Sequence, residues 1–237
     1  MNENRNEHRN EGCLKPLVLG AIGTNCYILP LDEFTPPAES AGSPPGDASR
    51  PCAVIDPGAQ APVIIARMAK LNLYPRYILL THGHFDHVAA LPYLAEAFPQ
   101  AIIAIHTRDA AYLGEASYSV HQESFAAAGD ASYVDLFWKD MPPPGLLLEE
   151  GDKAGPFTVL HLPGHTPGSA GFYLADQKLL FSGDTLFQDG YGRTDLPGGD
   201  WKSLRHSLER LMAMDEDIRV FPGHGPATAL GVCGIFL

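Results

Sequence analysis

Cysteine is scarce in this chain, with 4 among 237 residues, and none of Cys13, Cys26, Cys52 and Cys233 is spaced as a CxxC pair. No disulfide framework is expected, and a reducing, cytoplasmic setting fits. Positive charge is also short: 16 Lys and Arg against 28 Asp and Glu give a formal net charge of −12. A groove that neutralises phosphates needs clustered Lys and Arg, so no nucleic-acid partner is expected. The apolar runs are strand-length, too short to cross a bilayer, and no membrane association is expected. Met1 to Gly12 is polar, without the apolar stretch of a signal peptide, and reads as a disordered tail over 1–12. No Gly-x-Ser-x-Gly turn offers a serine nucleophile. What remains, with 45% hydrophobic residues, is enough for a single domain over 13–237.

Histidine, by contrast, is concentrated in one place. Thr81-His82-Gly83-His84-Phe85-Asp86-His87 sets three imidazoles and a carboxylate within six residues. Ile78-Leu79-Leu80 before it reads as a strand, and the apolar spacing from Val88 to Phe98 behind it reads as a helix. The motif therefore sits in a strand-to-helix turn. In an extended stretch His82 and His84 project to one side, and Gly83 lets the backbone bend without a Cβ in the way. Asp86 and His87 turn toward a second point. Four donors that diverge in pairs suit two divalent metal ions, and imidazole with carboxylate suits zinc first, with iron or manganese also accepted.

The pattern of apolar strand, Gly- or Pro-containing loop and potential ligand recurs three times. Phe157 to Leu162 leads to His165, Lys178 to Phe181 leads to Asp184, and Ile218 to Phe221 leads to His224. Loops that follow strands ending at one edge of a layered α/β fold gather in one crevice, so seven donors would converge.

From Leu14 to about Ala229 the chain resembles the metallo-β-lactamase fold hydrolases, and within them the small glyoxalase II-like (hydroxyacylglutathione hydrolase-like) branch. The HxHxDH run and the three later ligands stand in that family's order. The resemblance implies a four-layer αββα sandwich. It implies one metal on His82, His84 and His165, a second on Asp86, His87 and His224, and Asp184 as the bridge. Asp56, in Asp56-Pro57-Gly58, would orient the metal-binding loop from behind.

The implied reaction is hydrolysis of a small-molecule thioester such as S-lactoylglutathione by a hydroxide held between two metals, with Asp86 and Asp184 as the catalytic carboxylates. Arg193 falls where the family has a basic residue contacting glutathione, and Tyr191 lies in the same substrate-facing loop. Asp195 replaces a tyrosine usual in that loop, so Arg193 is equally readable as pairing with Asp195. The chain runs 13 residues past His224, so the helical C-terminal domain of full-length glyoxalase II enzymes, with its further glutathione contacts, is expected to be missing. Among rivals, the common zinc β-lactamases place a cysteine where Asp184 stands, and flavodiiron reductases a glutamate where His84 stands. A mononuclear iron persulfide dioxygenase, using His82 or His84 with His165 and Asp184, is the serious alternative. A hydrolase of another ester or lactone is a further one.

Elsewhere the pattern predicts strands at Leu14 to Leu19, Cys26 to Leu31, Ala53 to Asp56 and Ala101 to Ile105. It predicts helices at Ala61 to Leu71 and Asp200 to Met214, the latter with Asp200 as N-cap, and Thr107 capping a short helix through Ala111. Residues 33–51, rich in Pro, Ala, Ser and Gly, read as an insertion between strands. His106 reads as a packed histidine, and His121, His161 and His206 as surface, strand-face and helix-face residues. The aromatic segment Ser117 to Pro144 suits either core packing or the wall of a cleft.

Overall fold

The structure, a computed structural model, describes residues 14–31 and 49–234. The 1–12 tail and most of the 33–51 insertion lie outside the described residues. One sheet runs in the order β1 (Leu17–Leu19), β2 (Thr24–Pro30), β3 (Arg50–Ile55), β4 (Leu73–Leu79), β5 (Ile102–His106) and β6 (Leu146–Leu148). Its β1–β3 pairings are antiparallel, and β3 through β6 are parallel. The strands of the second sheet are β7 (Lys153–Ala154), β8 (Phe157–His161), β9 (Ala170–Leu174), β10 (Leu179–Gly183), β13 (Arg219–Pro222) and β14 (Thr228–Ala229). They are ordered β14-β13-β10-β9-β8-β7, with β10 and β13 parallel. A ribbon of β11 (Leu186–Phe187) and β12 (Gly190–Tyr191) follows β10.

Strand alternation explains the layering. On β2, Tyr27 and Leu29 point between the sheets, where they meet Phe157, Phe172, Phe181 and Phe221 of the second sheet. Their neighbours Cys26 and Ile28 face the other way, with Val54 and Ile78, toward Ile64 and Met68 of α1 (Ala61–Lys70). The second sheet does the same: Leu160, Leu180 and Val220 turn outward onto Leu204, Leu208 and Leu211. These three leucines lie on one stripe of the helix Trp201–Met212, whose Asp200 N-cap accepts from Ser203 N at 2.7 Å. The result is the helix–sheet–sheet–helix sandwich the sequence implied. Each fully buried Phe between the sheets is worth about 1.5–3 kcal/mol of apolar transfer.

Three local expectations are corrected. The helix expected from Val88 to Phe98 is two pieces, α2 (Phe85–Val88) and α3 (Leu91–Ala97). Pro92 falls in the first turn of α3, where its missing N–H costs nothing but where it cannot continue a preceding helix. Thr107 does not cap the 3₁₀ segment Thr107–Tyr112; the N-cap is His106, whose ring nitrogen accepts from Arg108 N at 3.2 Å. His121 is not at the surface. It is fully buried in α4 (Ser117–Ala127), its Nε2–H donating to the Tyr112 carbonyl at 2.9 Å. The aromatic segment forms α4 and α5 (Ala131–Phe137), and the helix Trp201–Met212 is then α6. Phe125, Tyr133 and Trp138 close around Phe85 at centroid distances of 5.9, 6.1 and 6.0 Å. Core packing therefore claims most of its rings.

Candidate metal centre

Strands of both sheets deliver their loops to one edge. His82 and His84 follow β4, Asp86 and His87 open α2, His165 follows β8, Asp184 follows β10 and His224 follows β13. All seven expected donors come together there. Ligand atoms of His82, His84 and His165 lie within 4.8 Å of one another, as do those of His82, His87 and Asp184, and of Asp86, His87 and His224. His87 Nε2 is 3.5 Å from Asp86 Oδ2, 3.5 Å from Asp184 Oδ1 and 3.3 Å from His224 Nε2. His224 Nε2 reaches Asp86 Oδ2 at 3.3 Å and Asp184 Oδ2 at 3.4 Å, and His165 Nε2 reaches Asp184 Oδ2 at 3.7 Å. Asp184 thus stands between the two groups.

Three histidines have their far nitrogen occupied, which fixes the orientation of the ring. His87 Nδ1–H donates to Asp56 Oδ2 at 3.1 Å, and Asp56 is itself held by Thr81 N at 2.8 Å and Thr81 Oγ1 at 2.7 Å. Because the Thr81 hydroxyl spends its proton on Asp56, it accepts from His82 Nδ1–H at 3.1 Å. His165 Nδ1–H donates to the Arg193 carbonyl at 2.7 Å. Each ring therefore turns its Nε2 toward the centre. Asp56, at a positive φ of 51°, joins His87 to Thr81.

Whether a metal suits this place is answered by atoms left over. His82 Nε2, His84 Nε2 and Asp184 Oδ1 are buried and have no hydrogen-bond partner among the described residues. Buried polar atoms without partners are costly and rare; His82 and Asp184 fall with His87 in one group whose ligand atoms lie within 4.8 Å, and His84 Nδ1 lies 2.8 Å from His165 Nε2, an arrangement a divalent cation satisfies. The residues fit the group. Charge agrees: burial pushes His87 and His224 down, but Asp86 and Asp184 outweigh it and carry them up to about 9 and about 10. Burial and the neighbouring imidazoles lower His84 to about 3 and take His82 well below its ordinary value. Asp184 falls to about 2, because burial is outweighed by His87 and His224. Cations are therefore wanted beside the carboxylates.

The chain belongs to the metallo-beta-lactamase superfamily. The model of that family matches residues 48–224. A hydroxyacylglutathione hydrolase, GloC, of Haemophilus influenzae is 37% identical over 208 residues, covering 87% of this chain and 93% of its own. A solved structure of TTHA1623 in a di-iron-bound form is 37% identical with a TM-score of 0.74, over 92% of this chain and 95% of that one. A B3 metallo-beta-lactamase, BLEG-1, is 33% identical with a TM-score of 0.74, over 92% and 94%. This superfamily member is a metallo-hydrolase, with a His/Asp cluster of the kind that binds divalent metals. Among the described residues, no helix is long and apolar enough to cross a membrane.

A cavity of about 430 Å³ opens over the cluster. Its floor includes His84, Asp86, His165, Asp184 and His224, and its walls include Ile22, Phe125, Phe187, Leu196, Tyr191 and Arg193. Tyr191 lies on β12 and packs on Trp201 at 5.1 Å. The Arg193 side chain makes a two-pronged pair with Asp195, both contacts at 2.7 Å.

Sequence reasoning missed several supporting residues. Asn25 Nδ2 donates to the Pro222 and Gly225 carbonyls at 2.9 and 2.8 Å, and Tyr27 Oη to Pro222 O at 2.7 Å, so the start of β2 holds the His224 loop. Thr24 Oγ1 donates to Asp86 Oδ2 at 2.9 Å. The run Thr24-Asn25 preceding an apolar strand carries no pattern that points at a loop two hundred residues on. Asp109, fully buried next to the motif, was missed as well.

Proposed function

We propose that this chain is a dinuclear metal-dependent hydrolase of a small-molecule thioester, with S-lactoylglutathione the substrate to try first. The observation that carries the reading is the pair of unpartnered buried donors, His82 Nε2 and Asp184 Oδ1, within the seven-donor cluster beneath a substrate-sized cavity. One metal is assigned to His82, His84 and His165, a second to Asp86, His87 and His224, and Asp184 lies between them. Zinc is the first expectation from the ligand chemistry, and the di-iron form of the TTHA1623 neighbour makes iron the next. When bound, such ions supply a Lewis acid for a carbonyl oxygen and lower the pKa of water from about 15.7 toward about 7.

The chain's own part is orientation and proton handling. Asp56, Thr81 and the Arg193 carbonyl hold His87, His82 and His165 with Nε2 inward. Asp86 lines the cavity with Oδ2 tied by Thr24, and is assigned to receive a proton and pass it to the leaving thiol. Ile22, Phe125, Phe187 and Leu196 exclude water from the reacting bond. The thioester class is supported by the relative that carries the name hydroxyacylglutathione hydrolase.

The test is hydrolysis of S-lactoylglutathione by metal-replete protein, followed as loss of thioester absorbance, with metals counted on the same sample. Turnover with about two metals per chain is expected. No turnover with one iron per chain would overturn the reading in favour of persulfide oxidation, measured as oxygen consumption with glutathione persulfide. Turnover of a chromogenic β-lactam alone would overturn it in favour of the lactamase.

A further inference from the structure

Behind the centre lies a carboxylate that touches neither the cavity nor any of the seven donors. Asp109 sits in the turn after β5, fully buried. Its Oδ2 accepts from Gly83 N at 3.0 Å and from Thr166 Oγ1 at 2.7 Å, and its Oδ1 accepts from Gly168 N at 2.7 Å. Gly83 is the residue between His82 and His84; Thr166 is the residue after His165. One side chain therefore ties together the two loops that carry the three-histidine set. Approach is close enough that any Cβ on Gly168 would run into the Asp109 carboxylate. Thr166 Oγ1 is further tied to Ser169 Oγ at 2.8 Å, and Ala170 N donates to Thr81 O at 2.8 Å, so the clamp continues into β9.

We propose that Asp109 is a positioning residue that sets the separation of His82, His84 and His165, as Asp56 does for His87. The inference rests on the metal assignments above. A buried carboxylate is tolerated when each oxygen is bonded, and three donors from two separate loops provide this. Burial still raises its pKa, because the bonds from Thr166, Gly168 and Gly83 offset only part of that cost. A carboxylate held there at such expense fixes geometry that backbone pairing alone does not. Removing an outer partner of a metal ligand typically costs about 10–100-fold in metal affinity.

The test uses Asp109→Asn, which keeps the shape and one acceptor oxygen but turns an amide N–H toward the donors. Asp109→Ala would strand two backbone N–H groups and a hydroxyl, and is expected to fold poorly. Cobalt(II) is titrated against a competing chelator in two backgrounds. His224→Ala retains the three-histidine set; His165→Ala retains Asp86, His87 and His224. Asp109→Asn should weaken cobalt binding about 10–100-fold in the first background and by less than about twofold in the second. Apo thermal midpoints are measured to check that all variants fold. Equal losses in both backgrounds, which a merely structural role would give, or no loss in either, would overturn the proposal. If the wild-type chain takes up a single metal, the dinuclear reading fails. Asp109 then stands if Asp109→Asn weakens that single site, and falls if it does not.

Discussion

Gly83→Ala perturbs the centre without touching a ligand. A Cβ at position 83 would be driven into the Tyr112 ring and its Cβ. Tyr112 has little room to yield: it is buried, its ring meets His84 at 5.8 Å and His121 at 5.4 Å, and its carbonyl accepts from His121. The loop must therefore move, and it carries His82 on one side and His84 on the other. Overpacking of this kind costs about 1–3 kcal/mol of stability. Displacement of catalytic groups by about 1 Å is enough to cost about 100-fold in rate. Gly83→Ala should thus lose stability modestly and activity and metal affinity heavily. The partner test is Tyr112→Ala, which alone should cost about 3–5 kcal/mol, as large aromatic truncations do. Combined, the two should cost less than their sum, by about 0.5–3 kcal/mol, because the ring that clashes is gone. Urea unfolding gives the stabilities and chelator competition gives the affinities. Strict additivity, or Gly83→Ala with wild-type affinity, would refute the argument.

Further expectations can be checked on the same protein. Asp184→Ala should lose both metals and all thioester turnover, read by elemental analysis and assay; two retained metals with full activity would remove Asp184 from its assigned place between the groups. Asp195→Asn should free Arg193 for an anionic substrate. Both side chains are exposed, so the pair is weak, and KM for S-lactoylglutathione should fall by up to about fivefold at unchanged kcat. An unmoved or raised KM would return Arg193 to a structural role. Burial lowers His121 from 6.5 to about 4, against the opposing bond to Tyr112. Between those values the unfolded chain binds the proton and the native chain does not. His121 therefore contributes fully above pH 6.5, and up to about 3 kcal/mol is lost as pH falls toward 4. His121→Gln should flatten that part of the stability–pH profile, and an unchanged slope would dismiss it.

The parts of this molecule that were legible in the sequence are those whose signal is local. Period-two alternation on β2 and β3 and the apolar stripe of α6 each declare a buried face within a few residues. The His82 to His87 run declares its chemistry by composition, and the three strand–loop–ligand repeats follow from one rule about strands that end at a common edge. Helix α4 shows the opposite case. It buries His121, Ser124 and Phe125 with Ser117, a mixed set with no apolar stripe to read. The clamps behind the centre were illegible for a related reason. Asp109 meets Thr166 across 57 residues of chain, and Asn25 meets Pro222 across 197. Several of their partners are backbone groups, which every residue carries alike. A ligand announces itself because its side chain is chosen for the metal, whereas its support is chosen for a distance that exists only after folding. Groups of the second kind include Asp109, bonded to Gly83 and Thr166, and the Arg193 carbonyl, bonded to His165, and on the proposal above they govern how precisely the expected ligands are placed.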